Sequence, residues 1–243
     1  VSGGPPVDLV VFAKAPVQGR VKTRLAASLG PGGPEAAAAL HAAFVEDLCG
    51  RVAGLAGFRV RISTDPGPEA PFFRGLAERL GLPVGPQAGD DLGARMGHDL
   101  RRSLEAGAGC LLIGTDVPTL PIHHLEAAAA ALETAALVLG PSSDGGYYLV
   151  GASLAALGRW DDVAARLFTD IPWGAGDVLH RTLARAEELA EDLAVALAPA
   201  WYDVDEAADL GPLLRHLAAG DPSLPRTTEV LAALGVPAPA GAA

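Results

Sequence analysis

The chain has 243 residues, a formal net charge of −11, half its residues apolar and 5% aromatic. This suits one globular α/β domain and excludes disordered and fibrous classes, while the acidic balance argues against a nucleic acid or a membrane surface as partner. Cys49 and Cys110 lack metal-ligand spacing and any disulfide-rich pattern, Val1 to Pro6 read as a short flexible terminus rather than a leader, and the apolar stretches are broken by Glu, Asp or Gly, so a cytoplasmic protein with reduced thiols is expected.

In chain order, Val7 to Ala13 is an apolar run of strand length without polar alternation, as expected of a strand buried on both faces. Leu40, Phe44, Leu48, Val52 and Leu55 recur at helical spacing and end at Gly54 and Gly57; Phe58 to Ser63 then reads as a second strand. Phe72 to Leu80 reads as a helix, Leu82 to Pro86 as a short strand, and Leu92, Met96, Leu100 and Leu104 as an amphipathic helix. Cys110 to Gly114 is a compact strand, followed by a helix through Leu125 and Leu132 and a strand from Leu137 to Gly140. The turn Ser142 to Gly146 leads into Tyr147 to Val150, which can return antiparallel. Helices near Asp161 to Leu167 and Asp177 to Glu191 precede Val195-Ala-Leu197 and the segment Trp201 to Asp205, and 237–243 read as a second flexible end. This alternation predicts a single three-layer Rossmann-like domain over 7–236, with a mostly parallel central sheet and ligands bound beyond the carboxyl ends of its strands.

Lysine occurs only twice, at Lys14 and Lys22, and both fall with Arg20 and Arg24 in one Pro/Gly-broken loop after the first strand. Mobile ammonium groups beside planar guanidinium forks suit a polyphosphate, whereas the plain alternative is a solvated charged loop. Gly19 allows close backbone approach to an anion, and a helix expected to begin near Val21 would aim its positive end there. The loop has neither P-loop nor Gly-x-Gly-x-x-Gly spacing, which removes the main support for ATPase and dinucleotide readings.

Asp116 follows a buried strand directly, where a hard divalent cation on phosphate oxygens would need a carboxylate; capping the turn before Pro118 is the rival role. Asp203 and Asp205 lie on one side of the chain if this stretch is extended. Either could be a second metal ligand, although Asp205 could instead N-cap a helix from Glu206. Gln87 and Asp90 could read a base or ribose and Asp144, Gly145 and Gly146 an acceptor, or all could be turn chemistry alone. Trp173 is a lid or a core anchor, and His123 and His124 are expected at exposed positions of a helix start.

Five segments in order carry a resemblance: Phe-Ala-Lys-Ala-Pro-Val-Gln-Gly-Arg-Val-Lys-Thr-Arg-Leu, Gly-Asp-Asp-Leu-Gly-Ala-Arg-Met, Gly-Thr-Asp-Val-Pro-Thr-Leu, Gly-Pro-Ser-Ser-Asp-Gly-Gly-Tyr-Tyr-Leu and Asp-Val-Asp-Glu-Ala-Ala-Asp-Leu. Over Val7 to Leu214 the chain resembles the transferase family associated with radical-SAM and selenodomain genes, within the nucleotide-diphospho-sugar transferase superfamily of glycosyltransferase-A fold. The first and last segments also resemble phospholactate guanylyltransferases and molybdenum-cofactor nucleotidyltransferases. The resemblance implies a nucleotide over the sheet edge, with Arg20, Lys22 and Arg24 at its phosphates and Mg²⁺ or Mn²⁺ on Asp116 and an Asp of the final motif. It also implies Gln87 and Asp90 near the nucleoside and the Asp144 turn near a small-molecule acceptor. Two departures stand out: a Pro-containing loop replaces the glycine-rich Gly-Gly-x-Ser/Thr-x-Arg loop, and Glu206-Ala207 replaces Thr-Pro.

The expected activity is metal-dependent nucleotidyl transfer from a nucleoside triphosphate to a phosphorylated or anionic acceptor, with Lys22, Arg20 and the ion stabilising charge on the α-phosphate and the pyrophosphate. A basic loop after the first strand favours a triphosphate. Transfer from a nucleotide sugar, and nucleotide binding without turnover, are the alternatives.

Overall fold

The computed structural model describes residues 7–189, 193–220 and 222–236; the termini expected to be flexible, Val1 to Pro6 and 237–243, lie outside them. Seven strands form one sheet in the order β3-β2-β1-β4-β6-β5-β7, namely β1 (Val7–Lys14), β2 (Phe58–Asp65), β3 (Val84–Pro86), β4 (Cys110–Gly114), β5 (Leu137–Pro141), β6 (Tyr147–Ala152) and β7 (Val195–Leu197). All neighbours pair parallel except β6, which runs antiparallel to both β4 and β5. The chain is thus an α/β fold with a mostly parallel sheet, and the turn at Ser142 to Gly146 reverses the chain as its sequence predicts.

Alternation along β1 divides the core. Leu9, Val11 and Ala13 face α2 (Gly33–Val52), α3 (Pro71–Leu80) and α5 (Ile122–Ala131), whereas Val10 and Phe12 face α4 (Leu92–Glu105), α6 (Trp160–Phe168) and α7 (Val178–Glu188). With both faces covered, the inner part of β1 has no reason for polar residues, hence the unbroken apolar run from Leu9 to Ala13. A third cluster joins Leu25 of α1 (Thr23–Ser28) and Leu40 and Phe44 of α2 to Val204, to Leu213 of α8 (Leu210–Ala219) and to Leu231 of α9 (Pro225–Ala233).

Four local expectations change. The helix after the cationic loop begins at Thr23 and has only six residues, so it supplies little of the dipole expected to face an anion. The helix read from Leu40 begins earlier, at Gly33 with Pro34 in its first turn, a position that tolerates the missing N–H. The strand read from Leu82 pairs only from Val84, and of the helix read as Asp177 to Glu191 the described part is Val178–Glu188.

Because β1, β4, β5 and β7 run in one direction, the segments after them emerge at one edge of the sheet. Main-chain bonds knit these segments together: Val204 N–H donates to the Asp116 carbonyl at 2.8 Å, Trp201 N–H to Pro141 at 3.0 Å, and Ser143 N–H to Trp201 at 3.1 Å. Residues 201–205 are thereby held against the Asp116 and Ser142 loops, although among the described residues only Trp201 forms a bridge, to Ser142.

Candidate functional site

The cationic loop, Asp116 and the final acidic motif converge on one side chain. Lys22 Nζ lies 2.5 Å from Asp116 Oδ1 and 2.7 Å from Asp205 Oδ1, with the Lys22 side chain only 2% exposed. Its ammonium lies over the Phe44 ring, 5.8 Å from the centroid. Lys22 occupies the left-handed backbone region at φ 48°, unusual without glycine, and this turns the side chain inward just before α1. Burial alone would lower its pKa, but the two carboxylates outweigh burial and hold it above the ordinary lysine value. Burial likewise pushes Asp116 up, and Lys22, with His41, reverses this and holds Asp116 below the usual carboxylate range.

The four loop cations thus divide in two. Arg24 also turns to acid, donating to Asp205 Oδ2 at 2.7 Å and Glu206 Oε1 at 3.0 Å. Lys14 and Arg20 are exposed and, among the described residues, have no carboxylate within ion-pair distance. Lys22 and Arg24, expected at phosphates, are both paired with protein carboxylates in this structure. Gly19 has φ +73° and open space around its missing side chain, so it is kept for its conformation.

The helix-capping alternative for Asp205 does not hold. The 3₁₀ turn Ala207–Asp209 is capped by Glu206, and Asp209 Oδ2 accepts from the N–H groups of both Asp205 and Glu206, at 2.9 and 2.8 Å. The Asp205 carboxylate is instead spent on cations, Oδ1 on Lys22 and Oδ2 on Arg24. One oxygen from each of Asp144, Asp203 and Asp205 lies within 4.8 Å of the others. Asp203 accepts from the Ser142 and Ser143 hydroxyls at 3.0 and 3.4 Å; burial, and then the Asp144 charge, raise its pKa to about 6. Asp144 accepts from Gly146 N–H at 2.8 Å, so turn chemistry takes one of its oxygens. Gly145 serves packing: at φ +88°, a Cβ there would lie 2.0 Å from the Gly176 carbonyl oxygen.

On the other side of β1, the Gln87 amide nitrogen faces the carbonyls of Ser63 and Ala13 at 3.1 and 3.5 Å, which fixes its orientation and leaves its oxygen unspent. Asp90 is exposed, while its neighbour Asp91 caps α4 through Ala94 N–H at 2.8 Å. Trp173 packs against the core and edge-on to Tyr147, as an anchor rather than a lid. His123 is exposed as expected, but His124 is buried beneath Trp201 with ring centroids 5.1 Å apart.

Sequence reading misses His41. It lies on the buried face of α2 between Ala37 and Val45, where a histidine among apolar residues at helical spacing is the only signal. Its Nε2 is 3.0 Å from the Lys14 carbonyl, and its Nδ1 is 4.0 Å from Asp116 Oδ1. Burial lowers its pKa, with Asp116 opposing in part. Thr119, Tyr202 and His216 are also missed; Thr119 accepts from Trp201 Nε1 at 3.1 Å and donates to the Tyr202 hydroxyl at 2.8 Å, bracing the final motif against the Asp116 loop.

The family described as uncharacterized protein conserved in bacteria (DUF2064) matches residues 48–175. No curated protein matches the chain. Among solved structures, a protein of Desulfovibrio desulfuricans G20 named for nucleotide-diphospho-sugar transfer is 29% identical over 94% of this chain and 96% of its own, with a TM-score of 0.78. A cytidylyltransferase from Leptospira borgpetersenii serovar Hardjo-bovis shares 13% identity over 96% of this chain and 94% of its own at a TM-score of 0.55. A nucleotidyl transferase from Methanothermobacter thermautotroptrophicus shares 14% over 90% and 100% at 0.54. The last two are similar in fold alone. Among the described residues no helix is long and apolar enough to cross a membrane.

Proposed function

The chain belongs to the bacterial DUF2064 family and is built on the nucleotide-diphospho-sugar transferase fold, and from this premise we propose that it transfers a nucleoside monophosphate from a nucleoside triphosphate to a small phosphorylated or anionic acceptor, releasing pyrophosphate. That it is a transferase of this superfamily accords with its neighbours; the triphosphate donor is our reading. One observation carries it: Lys14 and Arg20, cations that among the described residues have no carboxylate partner, stand beside a lysine locked onto Asp116 and Asp205. A nucleotide sugar brings two phosphates and can be held mostly by an ion, whereas a third phosphate needs further positive charge from the protein.

In this reading Lys14 and Arg20 grip the phosphate tail, and Lys22 keeps the two carboxylates in register. Asp116, with Asp205 or Asp203, would hold a divalent cation, Mg²⁺ or Mn²⁺, whose chemistry is to neutralise charge on the phosphates. The carboxylates that cluster are Asp144, Asp203 and Asp205; Asp116 is outside this group and, like Asp205, is paired with Lys22, so an ion on Asp116 would have to displace that ammonium. An acceptor oxygen seated by the Asp144 turn attacks the α-phosphorus as the bond to pyrophosphate breaks. Holding donor and acceptor in line, more than any covalent participation, lowers the barrier.

A second reading, transfer of a sugar from a nucleotide sugar, is favoured by the Desulfovibrio neighbour and by the exposed Asp144, placed as a base for an acceptor hydroxyl. Incubating the protein with nucleoside triphosphates or nucleotide sugars, Mg²⁺ or Mn²⁺ and a panel of phosphorylated acceptors separates the readings. Pyrophosphate release supports the first, and nucleoside diphosphate release the second. Binding without either product overturns both in favour of a non-catalytic nucleotide-binding module.

A further inference from the structure

The loop that carries Asp116 is held from outside. Thr115 to Pro121 contains two prolines, Pro118 and Pro121, which bring no N–H, and inside it Leu120 N–H donates to the Val117 carbonyl at 3.0 Å. Pro118 and Leu120 are buried, so their carbonyls need donors. Arg51 supplies both: Nη1 donates to the Pro118 carbonyl and Nη2 to that of Leu120, each at 2.6 Å. A guanidinium is a planar fork, so its two nitrogens fix these carbonyls relative to each other and to α2, which an ammonium on a flexible stem cannot do. Thr119, between the two, bonds to Trp201 and Tyr202, and Val204 N–H reaches the Asp116 carbonyl at 2.8 Å. The loop is thus gripped by α2 and by the final motif.

Arg51 stands in the last turn of α2, seven residues after Phe44 and so about two turns along the same face. The Lys22 ammonium lies over the Phe44 ring and meets Asp116 Oδ1 at 2.5 Å. One helix face therefore supports both members of this pair, the ammonium through an aromatic ring and the carboxylate through the backbone that carries it.

We propose that Arg51 is a positioning residue for the transfer reaction: it acts through Asp116, by fixing the loop that presents this carboxylate to Lys22. The inference rests on the proposed function for its kinetic consequence and on the loop contacts for its origin. A misplacement of about 1 Å caused by a residue away from the chemistry can cost roughly a hundredfold in rate, so losing the fork is expected to reach kcat. Arg51 also lines a cleft of about 230 Å³ with Glu46, Gly50, Arg79 and Arg226, through which a small cation can take its place once the side chain is cut back.

The test compares Arg51→Ala and Arg51→Lys with the parent, as full chains, by pyrophosphate release from nucleoside triphosphates with phosphorylated acceptors and by amide hydrogen exchange without ligand. Arg51→Ala is expected to lower kcat by roughly tenfold to a hundredfold with KM for the triphosphate little changed. The Leu120 and Val204 amides should exchange roughly tenfold faster while those of β1 and β4 keep their protection. Millimolar guanidinium chloride should restore part of both losses and ammonium chloride neither, and Arg51→Lys should fall between the parent and Arg51→Ala. A lesion that merely loosens the fold would be worsened by guanidinium, a denaturant. Unchanged kcat, or a loss with exchange raised evenly over β1 and β4 and no rescue by guanidinium, overturns the inference and leaves the transferase reading standing. If the parent releases no pyrophosphate, the transferase reading falls and exchange alone decides. Local acceleration reversed by guanidinium then upholds Arg51 as the residue that sets the Asp116 loop, and unaltered Leu120 and Val204 exchange removes it.

Discussion

Replacing Lys22 with methionine keeps an unbranched apolar stem and removes the charge between Asp116 and Asp205. Removing one partner of a fully buried ion pair costs roughly 3–5 kcal/mol, because the remaining charge is stranded. Here the stranded carboxylates keep 46% and 23% of their side-chain exposure, so water screens them and the expected loss is about 2 kcal/mol. With an unfolding entropy of about 2.1 cal/mol/K per residue, a chain of 243 residues loses about 0.5 kcal/mol per degree, so Lys22→Met should lower the melting temperature by about 4 °C in a chelator. Mn²⁺ added without nucleotide should restore much of that loss in the variant and raise the parent far less, since in the parent an ammonium already occupies the carboxylate pair. Adding Asp116→Asn should remove most of the penalty, as expected of coupled neighbours. Differential scanning calorimetry of the three proteins with chelator and with Mn²⁺ reads each state. A variant that melts within about 1 °C of the parent, or that gains no more than the parent from Mn²⁺, would refute the assignment of Lys22 as the cation that sets the resting state of the site.

Lys14→Ala and Arg20→Ala should each weaken tripolyphosphate binding by roughly fivefold at low salt, by calorimetric titration, with the difference shrinking at high salt; Arg24→Ala, already paired, should weaken it less. Asp203 binds its proton more tightly in the folded state, with a pKa raised from 3.8 to about 6. The folded state thus carries the extra proton between these values, and the stabilisation is full below about 4 and lost as pH rises through about 6. Asp203→Asn should flatten that part of the stability profile by about 1 kcal/mol once partial exposure is allowed for, and an unchanged urea midpoint profile from pH 4 to 7 would contradict the burial argument. Gly145→Ala should cost about 2–4 kcal/mol through its collision with the Gly176 carbonyl, whereas Gly75→Ala, in open space within α3, should be neutral or stabilising by up to about 1 kcal/mol in the same urea titration.

Much of the sheet is legible in the sequence because burial on both faces forces unbroken apolar runs, and β1, β4 and β5 each show one. The antiparallel return of β6 is signalled by the Ser142 to Gly146 turn. The helices α8 and α9 escape notice, since Gly211 and Pro212 open one and Pro225 the other, and these residues read as turns before they read as a first helical turn. At the site, residue types are legible and partners are not. Lys22 and Asp205 are 183 residues apart, and spacing alone cannot say that an ammonium will meet a carboxylate instead of a phosphate. His41 is hidden for another reason: a single histidine in an alanine-rich helix has the same signature whether it packs silently or faces a carboxylate of the site.

The direction of β6 sets where new specificity can arise. Because the residues before and after Ser142 to Gly146 belong to adjacent paired strands, that turn is tethered at both ends and buttressed by the backbone of Gly176. A relative adapted to a bulkier partner molecule would keep this tether and vary the outer buttress, from Pro172 to Gly176, which can be lengthened without disturbing strand register. Sequence drift concentrated in that connector, with the tether unchanged, would be the mark of such adaptation.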